Sequence, residues 1–477
     1  MGFLSLSFLG MIFATIFVSS FNQSSRIRGY FLLVLSILFC SSYLSLLQSC
    51  IILGFAGLGY IFYCLRAKKA VTRNLSVALL FSAILVIYLS IKGYIFSAAL
   101  DGVSIVGISY VVFRIVHLMG QATHQDQVLI SPVDYLNYLF FFPSFVSGPV
   151  QSFDEFKACL ETDKKPVFSD WESLIARMVM GYFKLFFLSV WLFGISDLLL
   201  SFKPDSGGTS LIHAELIFNL GATSLAYVLG IYINFSGYMD IMVPLAKIMG
   251  IALQENFNHP LSSENFVDLW KRWHISVSNW FRDQIFNPLF KWLATIAGAK
   301  NRRLHPYIAV FCLMISFTIM GFWHGVGLHY FLYGVLLGIG ICATTIFSIW
   351  KTKKKLSHAK SWQGKLPARA ITFTYFSASL LFLKYDTDLL SKIWQNGSYL
   401  DFVLSTASVF FGWLILMAIH DLAVLLYKNI LTGWSQVDEK VRVFLIPVWS
   451  AIFIYWCIFF SLHQGGYVPM DVLYKVF

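Results

Sequence analysis

Residues 310–327, VFCLMISFTIMGFWHGVG, decide what kind of protein this is. They form an uncharged apolar run that ends in an ionisable side chain, His324, followed by Gly325 and Gly327. Comparable runs recur along the chain, and about 20 apolar residues are enough to cross the hydrocarbon core of a bilayer as a helix. The sequence therefore predicts an all-α, polytopic integral membrane protein.

The composition favours the same class. Of the 477 residues, 58% are hydrophobic and only 12% are charged, whereas soluble domains carry about 25% charged residues. This is too little charge to cover the surfaces of the several soluble domains that such a length would otherwise form. The net charge of +11 is interpreted as loop charge that sets membrane topology, and no nucleic-acid partner is expected.

The cysteines and histidines do not show the spacing of a metal site. The seven cysteines are scattered, mostly within apolar runs, and form no CxxC pair, so they are interpreted as small core residues. The closest pair among the eleven histidines, His324 and His329, has no carboxylates beside it. We therefore expect no metal. The GxSxG, HExxH and P-loop motifs are also missing from the sequence.

Apolar stretches long enough to span the membrane occur along the whole chain. They are residues 3–20, 30–47, 50–65, 75–99, 178–200, 214–233, 239–251, 306–323, 327–350, 369–386, 402–427 and 443–462. Residues 103–119 and 135–150 are shorter or broken by Gly and Pro, which favours re-entrant or partly buried segments. We expect about 11–13 transmembrane or re-entrant helices around a central channel.

The basic residues predict one orientation. They cluster at residues 26–28, 66–73, 300–303, 351–360 and 428–442. Placing every cluster in the cytoplasm gives a consistent zigzag with both termini outside. His324 then lies at an outward turn, away from the basic loops.

The main polar segment, residues 255–288, reads ENFNHPLSSENFVDLWKRWHISVSNWFRDQIFNP. Its aromatic residues fall near helical spacing with basic residues on other faces, which favours a helix over 266–288 at the membrane interface. The simpler interpretation is an anchoring helix. The density of polar residues in so charge-poor a chain favours a functional one.

Two further stretches are ambiguous by themselves. NFSGYMD, residues 234–240, is predicted to break two apolar segments, and such a break either lines a cavity or forms a surface loop. FFPSFVSGPVQSFDEF, residues 141–156, contains two prolines and a glycine that forbid a continuous helix, so it is predicted to be irregular and buried against protein.

His324 also has two interpretations. A lone histidine near a helix end is more often a hydrogen-bonded structural residue than a catalyst. However, the glycines around it would open space for a ligand, and an imidazole with a pKa of about 6.5 is the natural proton acceptor near neutral pH.

Three of these stretches, taken in order, resemble the membrane-bound O-acyltransferase family. They are FPSFVSGPV (142–150), the segment 234–289 with its RWHIS motif, and MGFWHGVG (320–327). The resemblance is strong over residues 100–350. It implies an organisation of N-terminal transmembrane helices (1–100), a catalytic core (101–350), and a cytoplasmic basic loop with C-terminal transmembrane helices (351–477).

The resemblance implies a reaction and its residues. Members of the family pass an acyl group from a cytoplasmic thioester through the membrane to a hydroxyl outside. The two family histidines fall on His324 and His274, which are the expected catalytic residues. Substrate or donor binding is expected at ten further positions: Asn234, Ser236, Asp240, Trp270, Lys271, Arg272, Trp273, Arg282, Asp283 and Trp323.

No permanently bound cofactor is expected. The acyl donor would be acetyl-CoA or the phosphopantetheine arm of an acyl carrier protein. The other expected partners are the bilayer of the inner (plasma) membrane and an extracytoplasmic polymer, with a second acyltransferase protein as an alternative route to that polymer.

The sequence leaves the acyl group open between two bacterial branches, the alginate O-acetylases and D-alanyl transfer in teichoic acid modification. The stretch RDQIFNPLFKWLATIAGAKNRR lacks the Gly-Gly-Asn-Arg of the acetylases, whereas GYMD with Asp240 resembles them. Acetyl is slightly favoured. A secondary transporter and a membrane scaffold are the non-enzyme alternatives, although paired repeats typical of transporters are not seen.

Overall fold

The computed structural model describes residues 24–67, 105–121, 129–162, 171–201, 211–354, 362–396 and 399–434, with isolated positions at 8, 10–12, 14, 15 and 89. The regular structure of these residues is helical, with one isolated antiparallel bridge between Phe257 and Trp273 and no β-strand. Eight helical stretches among them are long and apolar enough to cross a membrane. The predicted all-α, polytopic membrane class is confirmed.

The first half of the described chain contains nine α-helices. They are α1 (Ser25–Tyr43), α2 (Leu46–Ala67), α3 (Ile108–Gln121), α4 (Pro132–Phe140), α5 (Phe142–Phe145), α6 (Phe153–Glu161), α7 (Trp171–Phe183), α8 (Ser189–Ser201) and α9 (Leu211–Ile248). Serine side chains cap α1, α4 and α6 by accepting a hydrogen bond from an early backbone N–H. A π-helical turn, Lys184–Leu188, joins α7 to α8.

The second half contains eight. They are α10 (Phe266–Trp270), α11 (Ile275–Phe281), α12 (Asn287–Ala297), α13 (His305–His324), α14 (Leu328–Lys353), α15 (Trp362–Lys384), α16 (Thr387–Asn396) and α17 (Tyr399–Trp434). A second π-helical turn, Arg282–Phe286, joins α11 to α12, and 3₁₀ turns lie at Pro260–Ser262 and Ala299–Leu304.

Helix α9 is the centre of the molecule. Of its most apolar window, 78% of residues are buried, whereas the other candidate spans reach at most 50%. One apolar cluster packs the second half of α9 against α1–α7. A second packs the middle of α9 against helices α3, α8, α10–α11, α13–α15 and α17. Side chains on α9 are therefore placed by both groups of helices.

Most predicted spans in the described part correspond to observed helices. Residues 306–323 and 327–350 match α13 and α14, and the predicted spans at 30–47, 50–65, 178–200, 369–386 and 402–427 also fall on helices. The predicted spans 3–20, 75–99 and 443–462 lie outside the described residues apart from a few positions, so the total of 11–13 stays a prediction.

The predicted break at residues 234–240 is wrong. The predicted spans 214–233 and 239–251 are one helix, α9, which runs unbroken through Asn234, Gly237 and Pro244. The side chains of Asn234 and Asp240 bond to neighbouring elements, so the buried helix accommodates these polar residues. Gly237 allows close packing, because a Cβ there would lie 2.9 Å from the carbonyl oxygen of Gly181 in α7.

The predicted interface helix over 266–288 is also wrong in form. The chain makes two short helices, α10 and α11, separated at His274, whose backbone is left-handed (φ 44°). The aromatic stripe does not face the membrane surface either, because Trp270, Trp273 and Phe281 are buried.

The two shorter apolar segments are buried, as predicted. Residues 141–150 are all buried and irregular after α5. Arg114 of α3 stabilises this segment, since its guanidinium donates to the carbonyl of Leu139 (2.7 Å) and to Oγ of Ser144 (2.7 Å). Backbone carbonyls freed from a helix need such partners at membrane depth.

Candidate active site

His324 is the last residue of α13, at the turn into α14. Gly325 and Gly327 reverse the chain immediately after it, and Gly327 has a positive φ of 143° that favours glycine. The half-buried imidazole lies with its centroid 4.6 Å from the Trp323 ring and 5.3 Å from the Tyr333 ring of α14. The helix end and an aromatic wall therefore fix its position.

His274 sits between α10 and α11 and is only 4% exposed. Its φ of 44° is uncommon for a residue other than glycine. The imidazole packs edge-on against Phe235 of α9, with centroids 4.7 Å apart, and lies 6.5 Å from the Trp323 ring. Burial, with a smaller contribution from His324, lowers the pKa of His274 to about 3. The ring is therefore neutral at physiological pH and offers one N–H donor and one acceptor nitrogen.

Trp323 contacts both imidazoles. The indole is 7% exposed and is itself packed against Phe113 of α3 (5.5 Å) and Phe281 of α11 (6.4 Å). Two histidines far apart in the sequence thus meet at one buried side chain, which α3, α11 and α13 hold in common.

The glycines near His324 are closely packed against α14. A Cβ on Gly321 would lie 2.7 Å from Cα of Gly334, and one on Gly325 would lie 2.5 Å from the Tyr330 ring. The interpretation that these glycines open space for a ligand is therefore wrong. They let α13 and α14 approach each other at the turn that carries His324.

The polar residues predicted on α9 bond mainly to neighbouring helices. Asn234 donates to Oγ of Ser189 in α8 (3.1 Å), and Ser236 donates to a carbonyl of its own helix (3.3 Å). Asp240 accepts from Arg177 (2.9 Å) and Lys184 (2.7 Å). The residue of α9 that reaches the imidazole of His274 is Phe235, in the same stretch.

Two of the three tryptophans predicted to bind substrate or donor, Trp270 and Trp273, are core residues. Trp270 packs against Phe317 of α13 at 5.0 Å. Trp273 contacts the rings of Tyr232, Phe257 and Phe376 at 5.1–5.9 Å. The contacts observed for both indoles are therefore with aromatic side chains of the protein core.

The predicted charged residues lie nearer the surface. Lys271 is exposed. Arg272 is paired with Asp268 at 2.9 Å. Arg282 and Asp283 form an exposed bidentate pair at 2.9 and 3.0 Å, and this hydrogen bonding raises the pKa of Arg282. The structure does not gather these charges at the histidines.

Three residues at the site were not identified by the sequence analysis. Phe235, Phe113 and Tyr333 are ordinary apolar or aromatic residues of helices, and only their contacts with Trp323 or a histidine mark them. The one available hint was that Phe235 lies within NFSGYMD.

The two histidines that meet at Trp323 are those expected from the family resemblance, and comparison with known proteins tests that resemblance. The family model of the membrane-bound O-acyltransferases matches residues 3–385. The chain belongs to this family. The match extends well beyond residues 100–350, whose motifs carried the resemblance.

Three named relatives show the range of the membrane-bound O-acyltransferases that this chain resembles. A teichoic acid D-alanyltransferase of Streptococcus thermophilus is 30% identical over 298 residues, which are 61% of this chain and 68% of that protein. A probable alginate O-acetylase of Pseudomonas syringae is 28% identical over 239 residues, 49% of this chain and 41% of that protein. A peptidoglycan O-acetyltransferase of Helicobacter pylori is 28% identical over 255 residues, 53% of this chain and 44% of that protein.

Membership of the membrane-bound O-acyltransferases makes this chain a membrane-embedded acyltransferase. The alternatives of a secondary transporter and a membrane scaffold are thereby set aside. The chain spans less than half the length of the two O-acetylating relatives, so their complete activities are not transferred to it.

Proposed function

We propose that this protein transfers a short acyl group from a cytoplasmic thioester to a hydroxyl of a cell-surface polymer, or of its carrier, on the other side of the membrane. The observation that carries the proposal is the contact of His324 and His274 with one buried indole, Trp323, at the end of a membrane-crossing helix. The family supplies the reaction class, and the histidine pair supplies groups suited to it.

The chemistry needs a base and an oxyanion donor. A hydroxyl is a poor nucleophile at neutral pH, so His324 accepts its proton as the oxygen attacks the thioester carbonyl. The carbon–sulfur bond then breaks, an ester forms, and the proton passes to the thiol that leaves. His274, held neutral by burial, is suited to donate its N–H to the oxyanion of the intermediate. Asn234 and Ser236 are weaker candidates, because both already donate to protein oxygens.

The donor is proposed to enter from the cytoplasm, as coenzyme A thioester or on the phosphopantetheine arm of a carrier protein. Lys271, Arg272 and Arg282 would meet its phosphates. Their surface positions support this role, and Lys271 is exposed. In the proposed topology the protein lies in the inner (plasma) membrane with both termini extracytoplasmic. A partner acyltransferase is the alternative route for the final transfer outside.

Two acyl groups are candidates. Acetyl is favoured by the Gly-Tyr-Met-Asp stretch, and two of the relatives are named as O-acetylating enzymes. D-alanyl is favoured by coverage, because the D-alanyltransferase relatives match 57–61% of this chain and about two thirds of their own length. Mass spectrometry of the ester released from the cell envelope by mild alkali distinguishes the two, since a mass increment of acetyl or of alanyl is read directly.

The test of the proposal is His324→Ala, with His329→Ala as its control. Both variants remove an imidazole from the same turn, but the observed ring contact of His329 is with Tyr330 and not with Trp323. Loss of a general base lowers the rate by about 10²–10⁴-fold, so surface acylation should be abolished in His324→Ala and kept in His329→Ala at equal protein levels. Normal acylation in His324→Ala would refute the proposal.

A further inference from the structure

The backbone immediately after His274 donates hydrogen bonds to acceptors on another loop. Helix α11 begins directly after His274, so its first N–H groups need acceptors. The His274 side chain makes no capping hydrogen bond to them. The first two of these N–H groups, those of Ile275 and Ser276, donate to Asn256.

Asn256 uses two oxygens for this purpose. Its backbone carbonyl accepts from the N–H of Ile275 at 3.0 Å, and its Oδ1 accepts from the N–H of Ser276 at 3.1 Å. A side-chain oxygen bonded to the second N–H of a helix is the usual act of an N-cap residue. Asn256 therefore caps α11 from a different part of the chain.

Asn256 is itself held on both sides. It is fully buried, and its Nδ2 lies 3.5 Å from Sδ of Met239 in α9. The carboxylate of the preceding residue, Glu255, accepts hydrogen bonds from both terminal nitrogens of Arg177, each at 2.7 Å. One turn before Met239, α9 presents Phe235 to the His274 ring. The cap and one wall of the imidazole thus rest on the same helix.

We propose that Asn256 is a positioning residue for His274. Because Asn256 caps α11, the His274 side chain is not needed as the N-cap acceptor. It adopts φ 44° and keeps its imidazole against Phe235 and Trp323. The importance of this for acyl transfer rests on the proposed function, whereas the geometry itself does not.

The test compares Asn256→Ala, which removes the side-chain acceptor Oδ1 but keeps the backbone carbonyl, with Asn256→Asp, which keeps a side-chain acceptor. Asn258→Ala is the control, since that side chain is exposed on the same loop. Carbethoxylation of His274 by diethyl pyrocarbonate, followed by mass spectrometry of its peptide, reports the shielding of the ring without requiring activity. Asn256→Ala should be labelled faster by about fivefold or more. Its kcat should fall by about tenfold to a hundredfold with little change in KM, as expected for a catalytic group displaced by about 1 Å.

Asn256→Asp and Asn258→Ala should resemble the wild type in both measurements. Wild-type labelling and wild-type kcat in Asn256→Ala would overturn the inference, and so would an Asp variant as impaired as the Ala variant. If Asn256→Ala does not accumulate, Asn256→Asp decides alone: near-wild-type values support the inference and their loss overturns it. Full acyl transfer by His274→Asn would instead refute the role of His274 in the proposed function and leave the labelling result standing.

Discussion

At the scale of single residues, the neutrality of His274 is the property with the clearest consequence. Burial removes the hydration that would stabilise an imidazolium in water, and this lowers the pKa of His274. The nearby His324 lowers it further. A neutral ring both donates and accepts, whereas an imidazolium only donates. His274 therefore keeps the same hydrogen-bonding character over the whole physiological pH range.

This neutrality predicts a pH dependence of stability. The pKa of His274 is about 3 in the folded protein and 6.5 ordinarily, so between these values the unfolded chain binds a proton that the folded protein excludes. Stability should fall as the pH is lowered through that window. The melting temperature in detergent should drop between about pH 7 and about pH 5, and drop less in His274→Asn, because asparagine does not titrate and tolerates the left-handed backbone. Equal drops in both proteins would contradict this.

Trp273 was predicted to bind the donor, and its contacts change that expectation. It is 6% exposed and touches three other aromatic rings. Trp273→Ala should destabilise the fold by about 3–5 kcal/mol, as large-to-small core substitutions do. The measurement is the folded, monodisperse fraction in detergent.

Trp292→Ala is the matched control, because the Trp292 side chain is 61% exposed. If Trp273→Ala were as abundant and as heat-stable as the control while its KM for the donor rose, the predicted donor-binding role would be supported.

At the scale of helices, the contact between α13 and α14 determines where His324 lies. A Cβ on Gly334 would come 2.6 Å from the carbonyl oxygen of Phe317 and 2.9 Å from Cα of Gly321. Both are backbone atoms, so the helices must separate to accept any side chain. The separation would shift His324, which lies one helical turn after Gly321.

Gly334→Ala should therefore lower stability by about 1–3 kcal/mol, the usual cost of overpacking, and also slow acyl transfer. Melting temperature and the transfer rate at equal protein levels are the measurements. Gly194→Ala in α8 is the control, since a Cβ there meets no atom within 4 Å. Identical melting temperatures for the two variants would show that α13 and α14 are not tightly apposed.

The sequence predicted helices well and their local form less well. Length and hydropathy suffice for spans such as α13 and α14, because lipid requires a continuous apolar helix there. The burial of polar residues within a continuous α9 could not be predicted, since the partners of Asn234 and Asp240 come from other elements. The left-handed backbone of His274 could not be predicted either, because the residue that caps the following helix, Asn256, lies about 20 residues earlier in the chain.

At the scale of the whole molecule, α9 connects the two main apolar clusters and is longer than the membrane is thick. Its 38 residues rise about 57 Å at 1.5 Å per residue, against a hydrocarbon core of about 30 Å. The helix must therefore tilt or project from the membrane. Asp240, Arg177 and Glu255 form their ion pairs near its last turns, before the segment that leads to His274.

The proposed orientation of the whole molecule predicts which turns face which compartment. In a cysteine-free background, Val326→Cys, at the exposed turn after His324, should react with a membrane-impermeant maleimide in intact cells. Lys354→Cys, at the exposed end of α14, should react only after permeabilisation. The opposite pattern would invert the topology and move the hydroxyl substrate to the cytoplasmic face.

The placement of Trp323 has a consequence for the cell as well as for the reaction. An enzyme supplied with one substrate from each face of an energised membrane risks becoming a conduit for protons down the electrochemical gradient. The indole of Trp323, which cannot titrate, contacts both imidazoles and is enclosed by Phe113 and Phe281. We therefore expect the uncharged ring cluster at Trp323 to limit proton leak through the site during the proposed transfer.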